Sequence, residues 1–499
     1  MSSDEEDLDL NDDTTSQMES IADDMMDIED PSIQNSPAPS PLQPSSSTVV
    51  FNNTRQLNEM LDPQLLTCAS YDCVPLAAAI HPSPISSLAT TRCYRWVLTG
   101  SEDGYIRKWD FFASMNGKTA LTQAHRHNYV DSVTLAGVLS SWWENEEIPD
   151  SVKPTTTADG SEEPAAAAAA PVSTTLPREP KLSPVFSLDI HSEALWAVQG
   201  CENGSINLTS VRHEEGKCHH VLRKHSAPVS VLMITPGETS VISGSWDKSV
   251  LEWDLNTGSV VRSYDGHNSQ ISSAEFQPIY TPYSTTTTTT SSSSTSSSNQ
   301  EDDAALLWNR KNEHVFMTTS MDGQCLLWDR REPAQQARRL PIPDRTPPWC
   351  LSACWNADGT KIYAGRRNGT VDEYDFASQK WIQSFRMPAN SGPVSCVKSM
   401  PNGKHIVCAS NDNIRLWNTT IESNFTIRSD TEPGFAKPST KLSSTIPFSI
   451  LPGHHGGTIS HISIDPTCKY MITTSGNRGW EGTSTNGCLF YDISAVTAV

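Results

Sequence analysis

One segment recurs seven times in this chain, and no other feature limits its possible folds as strongly. It is an apolar run, a small Ser/Thr/Gly stretch, an acidic or amide residue in a turn, a second apolar run, and an aromatic followed by Asp. The first copies read WVLTGSEDGYIRKWD (Trp96–Asp110), LWAVQGCENGSINLTSV (Leu195–Val211) and VISGSWDKSVLEWD (Val241–Asp254). Next come VFMTTSMDGQCLLWD (Val315–Asp329), IYAGRRNGTVDEYD (Ile362–Asp375), IVCASNDNIRLWN (Ile406–Asn418) and MITTSGNRGWEGTSTNGCLFYD (Met471–Asp492). Several copies end about 42–46 residues apart, the length of one four-stranded unit. A small sheet of this kind cannot bury both faces alone, so the copies must stack, and closing the stack into a ring protects the sheet edges. The expected fold is all-β, a seven-bladed propeller.

Asp103-Gly104, Asn203-Gly204, Asp322-Gly323, Asn368-Gly369 and Asn486-Gly487 read as two-residue hairpin turns that need positive φ, with Asp247-Lys248 and Asp412-Asn413 as weaker versions. These features resemble the WD40 family across nearly all of 64–499 outside the insertions described below. The resemblance implies a buried hydrogen-bond set in each blade, made by a His, a Ser/Thr, a turn Asp and a Trp. His225, Ser243, Asp247 and Trp253 match it, as do His267, Thr318, Asp322 and Trp328. Tyr374 and Tyr491 replace Trp, and the second copy ends in Thr209-Ser210. This leaves the edges of blades two and seven open. In such rings the last blade takes a strand from the N-terminal side, and Leu66–Val74 is the candidate.

Hydrophobic residues make up 36% of the chain, below the roughly 45–50% of a packed domain, so much of it is expected to lie outside a core. The formal charge is −22, and its distribution is uneven. The first 30 residues carry 13 Asp/Glu, among them Asp4, Glu5, Glu6, Asp7, Asp23, Asp24 and Asp27, and no Lys or Arg. A Ser/Pro-rich stretch follows. Residues 1–63 are therefore expected to be a disordered acidic tail, which repels nucleic acid and favours basic partners. Within it, Asp23–Ile28 mixes acids with apolar residues, as a solvating tail or a segment that folds on a partner. Residues 64–499 are expected to form the propeller, interrupted by low-complexity insertions at 142–181, 278–303 and 421–444.

Several chemistries find no support in the sequence. No GxSxG elbow or Walker-type loop is present, and the His residues lack companions at metal-ligand spacing, so no catalysis, cofactor, metal or small-molecule substrate is expected. The 12 Cys are scattered singly, which suits a reducing compartment, and no signal pattern or membrane span is read. The basic pairs Arg330-Arg331, Arg338-Arg339 and Arg366-Arg367 are small, so direct DNA binding is not expected and they read as solvated loop residues. Trp328–Arg331 matches a WDxR box, which in cullin-ligase substrate receptors places an Arg, here Arg331, on an adaptor. Ser140–Glu147 differs in kind. Trp142 and Trp143 stand beside Glu144, Glu146 and Glu147, either as core or as a docking site for a basic partner.

Longer words narrow the family. Ser70–Pro75, His81-Pro82, Leu88–Cys93 and Gly100–Ala113, extended by Val130–Thr134 and Trp143–Glu146, resemble the WD40 subunit of the fungal SAGA transcription coactivator, of the suppressor-of-Ty class. The resemblance implies a nuclear, non-enzymatic adaptor that binds the TATA-binding protein and other SAGA subunits and regulates delivery to RNA polymerase II promoters. A histone-tail reader is a further alternative.

Overall fold

The computed structural model describes residues 63–148, 181–279, 310–420 and 443–497, less 334–335, 345, 389–390, 412, 445–446, 455–457 and 477–485. Expectations for the acidic tail, for the insertion interiors and for Asp412 fall outside these residues.

The described chain is a seven-bladed β-propeller. Blade one comprises Ile85–Thr90, Trp96–Ser101, Tyr105–Asp110 and Val138–Glu144; blade two, Leu188–Ile190, Trp196–Gly200, Ser205–Ser210 and Cys218–Arg223. Blade three comprises Val229–Ile234, Ser240–Ser245, Val250–Asp254 and Ser259–Tyr264; blade four, Ile271–Ile279, Arg310–Ser320, Cys325–Asp329 and Arg338–Arg339. Blade five is built from Ala353–Trp355, Lys361–Gly365, Thr370–Asp375 and Trp381–Arg386; blade six, from Cys396–Ser399, His405–Ala409, Ile414–Asn418 and Phe448–Leu451. Blade seven joins Ile459–Ile464, Tyr470–Ser475 and Gly487–Val496 to Ser70–Ile80. The core lies between blades. Val198 and Ile206 of blade two, for example, pack with Val229, Val241 and Trp253 of blade three. Each interface buries β-branched and aromatic side chains, about 1.5–3 kcal/mol apiece.

The closing strand differs from the expected Leu66–Val74. Ser70–Ile80 pairs antiparallel with Gly487–Val496, from Ser70 opposite Val496 to Ile80 opposite Gly487. Leu65 and Leu66 instead lie in a short helix, Pro63–Thr67, where the Leu65 carbonyl accepts the Tyr71 hydroxyl at 2.6 Å. Pro75 sits at a register shift, where a missing N–H breaks no regular ladder. The expected insertion limits also shift. Trp142–Glu144 belong to the outer strand of blade one, and Ile279 ends a strand of blade four. The connection 111–137 escaped notice in the sequence. It holds the helices Phe111–Asn116 and Gln123–Arg126 and the strand Leu135–Ala136, which pairs parallel with Ala77-Ala78.

The hairpins are not two-residue turns. Gly104, Gly204, Gly323 and Gly369 each donate an N–H to the carbonyl three residues back, and each has φ between +74° and +89°. Only the Gly needs the left-handed region, as the closing residue of a turn with a bulge. The preceding Asp or Asn has another task, which is to accept the N–H two residues on, as Asp103 does from Tyr105 at 3.1 Å. Asn486-Gly487 is not such a turn, since Gly487 opens a strand. In blade three the Gly position is held by Lys248, at φ +74°. Replacing it (K248G) should stabilise the protein by about 0.5–1 kcal/mol, read as a higher urea midpoint at unchanged slope. A lower midpoint would mean that the Lys248 side chain contributes more than the strain costs.

Polar side chains link the blade strands in directed relays. In blade three, Trp253 Nε1 donates to Ser243 Oγ at 2.7 Å, and His225 joins Ser243 at 2.7 Å and Asp247 at 2.9 Å. Burial alone would raise the Asp247 carboxyl, but hydrogen bonds from His225 and Ser249 hold it well below the usual range. In blade four, Trp328 donates to Thr318 at 2.8 Å and His267 Nε2 meets Thr318 at 2.6 Å. Asp322 does not touch His267 there. Ser320 stands between them, 2.9 Å from His267 and 2.5 Å from Asp322. Every proton in this chain is placed if His267 is neutral with hydrogen on Nδ1, and burial lowers its pKa to about 4. Blade one carries a third relay, His81 to Thr99 at 2.8 Å and Trp109 to Thr99 at 2.9 Å.

One arginine in each of two pairs departs from the solvated reading. Arg366 is 1% exposed, bonded to Asp372, Tyr374 and the Gly323 carbonyl, while Arg367 lies 4.2 Å over the Trp349 ring. Arg330 reaches Glu252 of blade three. Physically, Arg366 and Arg330 exchange hydration for carboxylates and carbonyls between blades, whereas Arg367 and Arg331 stay exposed.

Candidate functional site

The outer strand of blade one runs antiparallel to Tyr105–Asp110, with Trp142 opposite Arg107, Trp143 opposite Ile106 and Glu144 opposite Tyr105. Strand alternation sends neighbours to opposite faces. Trp142 is therefore 58% exposed, edge-on to Tyr105 at 5.5 Å, while Trp143 is 6% exposed and packs with Leu98, Ile106 and Val185. The core and surface readings of this pair each describe one of the two rings. Gly216, at φ +80°, comes so close to Trp143 that a Cβ there would collide with it.

Asn145 ties this strand to blade two. Its backbone N–H reaches the Gly104 carbonyl at 2.8 Å, and its Nδ2 reaches the carbonyls of Ser183 at 3.2 Å and Gly200 at 3.3 Å. Its Oδ1 accepts Asn207 Nδ2 at 3.2 Å, and the same Nδ2 reaches the Glu146 carbonyl at 2.9 Å. The orientation of the Asn207 amide is thereby fixed.

Between these strands lies a pocket of about 380 Å³. Trp142, Trp143, Glu144, Glu146 and Ile148 form one wall. Gln199, Asn207, Thr209, Gly216 and Cys218 of blade two and its loop form the other. Thr209 stands ten residues after Gln199 and bonds to it at 3.0 Å, just as Trp109, Trp253 and Trp328 stand ten residues after their hydroxyl partners. The second copy thus lacks the indole that fills this position in three other blades, and its departure from the repeat leaves space.

Two buried polar atoms in the pocket residues, Trp143 Nε1 and Asn207 Oδ1, have no hydrogen-bond partner among the described residues. The acids divide in two. Glu147 faces Lys181 at 3.4 Å, and Glu215 holds Lys108 at 2.6 Å. Glu144 accepts only the Tyr105 hydroxyl, at 3.1 Å, and Glu146 has no cation beside it among the described residues. Among the described residues, the site therefore sets two carboxylates without an ion pair next to an exposed indole, with Arg223 on the Ile148 carbonyl at 2.6 Å. The tail residues Asp4, Glu5, Glu6, Asp7, Asp23, Asp24 and Asp27 lie outside the described residues. Arg331 of the WDxR box is folded onto Asp329 at 2.7 Å.

Residues 71–314 and 306–494 match the family described as SPT8 beta propeller. The chain belongs to the SPT8 β-propeller family. It is similar to the SAGA complex subunit SPT8 of Saccharomyces cerevisiae, 38% identical over 467 residues, covering 85% of this chain and 73% of that protein. It is also similar to the SAGA complex subunit Spt8 of Schizosaccharomyces pombe, 37% identical over 481 residues, covering 87% of this chain and 82% of that protein. A more distant likeness, 26% identity over 39% of the chain, reaches a maize guanine nucleotide-binding protein β subunit, 44% of which is covered. The first matched stretch, residues 71–314, spans the Trp-rich strand and blade two.

Proposed function

We propose that this chain is a non-enzymatic, nuclear adaptor subunit of a SAGA-type coactivator, which binds the TATA-binding protein and governs its delivery to RNA polymerase II promoters. The observation that carries the reading is the likeness to two SAGA subunits over more than four-fifths of the chain. The three relays described above commit His81, His225 and His267, with their Ser, Thr and Asp partners, to linking strands, which suits a rigid platform. The charge supports a basic partner surface, because 13 acids and no bases in the first 30 residues form a polyanion that can occupy a DNA-binding face.

Deleting residues 1–62, just short of the helix Pro63–Thr67, isolates that contribution. Affinity for purified TATA-binding protein is expected to fall about tenfold at low salt, with a flatter dependence on salt. An unchanged affinity and slope would remove the tail from the interaction. Affinity purification of the tagged full chain should bring histone-acetyltransferase subunits, and recovery of a cullin instead would overturn the adaptor reading.

A further inference from the structure

We infer that the pocket between blades one and two receives an arginine side chain from a basic segment of a partner protein. The inference rests on the adaptor reading only in supposing that a protein partner exists. Four features converge on it. The volume of about 380 Å³ lies within the roughly 300–1,000 Å³ range of ligand sites and is ample for one side chain. Among the described residues Glu144 and Glu146 line it without an ion pair, whereas Glu147 and Glu215 beside them are already paired. The exposed Trp142 ring offers a face to a flat cation. Asn207 Oδ1 is a buried acceptor whose amide cannot turn away, because its Nδ2 is committed to Asn145 and Glu146.

Guanidinium suits this set better than ammonium. It is weakly hydrated and planar, and its forked N–H donors can reach a carboxylate and an amide oxygen together. It has no acceptor for the Trp143 indole N–H. That donor has no partner among the described residues, and a backbone carbonyl of the same incoming segment would satisfy it, as a peptide can and a free cation cannot. The missing tryptophan at Thr209 provides the room, and Gly216 lets the second wall approach.

The test uses the full chain and an acetylated, amidated nonapeptide of Gly and Ser with one central residue: Arg, citrulline or Leu. Citrulline keeps the planar shape of arginine but not the charge, and a carbonyl oxygen replaces one of its terminal NH2 groups. Binding is followed through the indole ¹⁵N–¹H resonance of Trp143, assigned by its loss in W143F. The Arg peptide should shift that resonance saturably, with citrulline at least about tenfold weaker and Leu silent. E146Q at a half-buried position and W142A at an exposed one should each weaken the Arg peptide about fivefold to tenfold at an unchanged melting temperature. No shift at millimolar Arg peptide, or equal shifts from citrulline or Leu, would overturn the inference. Failure of TATA-binding-protein binding alongside a saturable Arg titration would remove that partner and keep the pocket. The reverse result would remove the pocket and keep the partner.

Discussion

Deleting residues 1–80 should abolish the cooperative unfolding transition, whereas deleting 1–62 should leave it in place. Ser70–Ile80 is the outer strand of the last blade, and it pairs along the length of Gly487–Val496. Tyr71, Cys73, Ala77, Ala78 and Ala79 of this strand are all buried. Tyr71 also accepts the Asn402 N–H at 3.2 Å, which ties the strand to blade six, and His81 begins the relay of blade one. Without the strand, the ring loses a full ladder and two inter-blade contacts, and a long edge is exposed to pairing with other chains. The loss exceeds the 5–15 kcal/mol by which a folded domain is typically stable. Near-UV circular dichroism and size exclusion would read the result as lost tertiary signal and aggregation. A melting temperature within a few degrees of the full chain would mean that the ring closes without this strand. A milder version is Ala78→Asp, which buries a charge in the same ladder and should cost several kcal/mol.

The architecture was legible because the repeat is written in local chemistry. Two apolar runs, a polar turn between them and, in most copies, a closing aromatic lie close together in the chain, so seven copies can be counted without any long-range knowledge. Hairpin type was not legible in the same way. Asp103-Gly104 is compatible with either register of the turn, and only the N–H of Gly104 meeting Ser101 decides it. The relay of blade one could have been found, since His81 precedes Thr99 by the same 18 residues that separate His225 from Ser243. Ser320 could not, because its role appears only when Asp322 falls short of His267.

The pocket was half legible. Trp142, Trp143, Glu144 and Glu146 stand together in the sequence, and their composition drew attention. Asn207, Thr209 and Gly216 lie more than sixty residues away, beyond an insertion, and reach the tryptophans only because blade two stacks on blade one. The Gln199–Thr209 pair looked like a degenerate repeat when read alone. It is a substitution with a spatial meaning, as local departures from a fold's pattern often are at binding sites.

Arg366 gives the second large effect. It occupies the strand end where blades one, three and four have Ser101, Ser245 and Ser320, and both it and Asp372 are 1% exposed. Its Nε donates to Asp372 at 2.7 Å, its Nη2 to the Tyr374 hydroxyl at 2.8 Å, and its Nη1 to the Gly323 carbonyl of blade four at 2.6 Å. Ser384 donates to the other Asp372 oxygen at 2.5 Å. R366M keeps the apolar volume but leaves the Asp372 carboxylate buried without its cation, so it should destabilise the protein by about 3–5 kcal/mol. D372L alone should cost a similar amount by stranding the guanidinium. The double variant should recover much of either loss, because the desolvation cost of the pair offsets most of its attraction. Urea unfolding of the four proteins supplies the cycle. A loss below about 1 kcal/mol in R366M would mean that water reaches Asp372, and that the joint between blades four and five is held by packing alone.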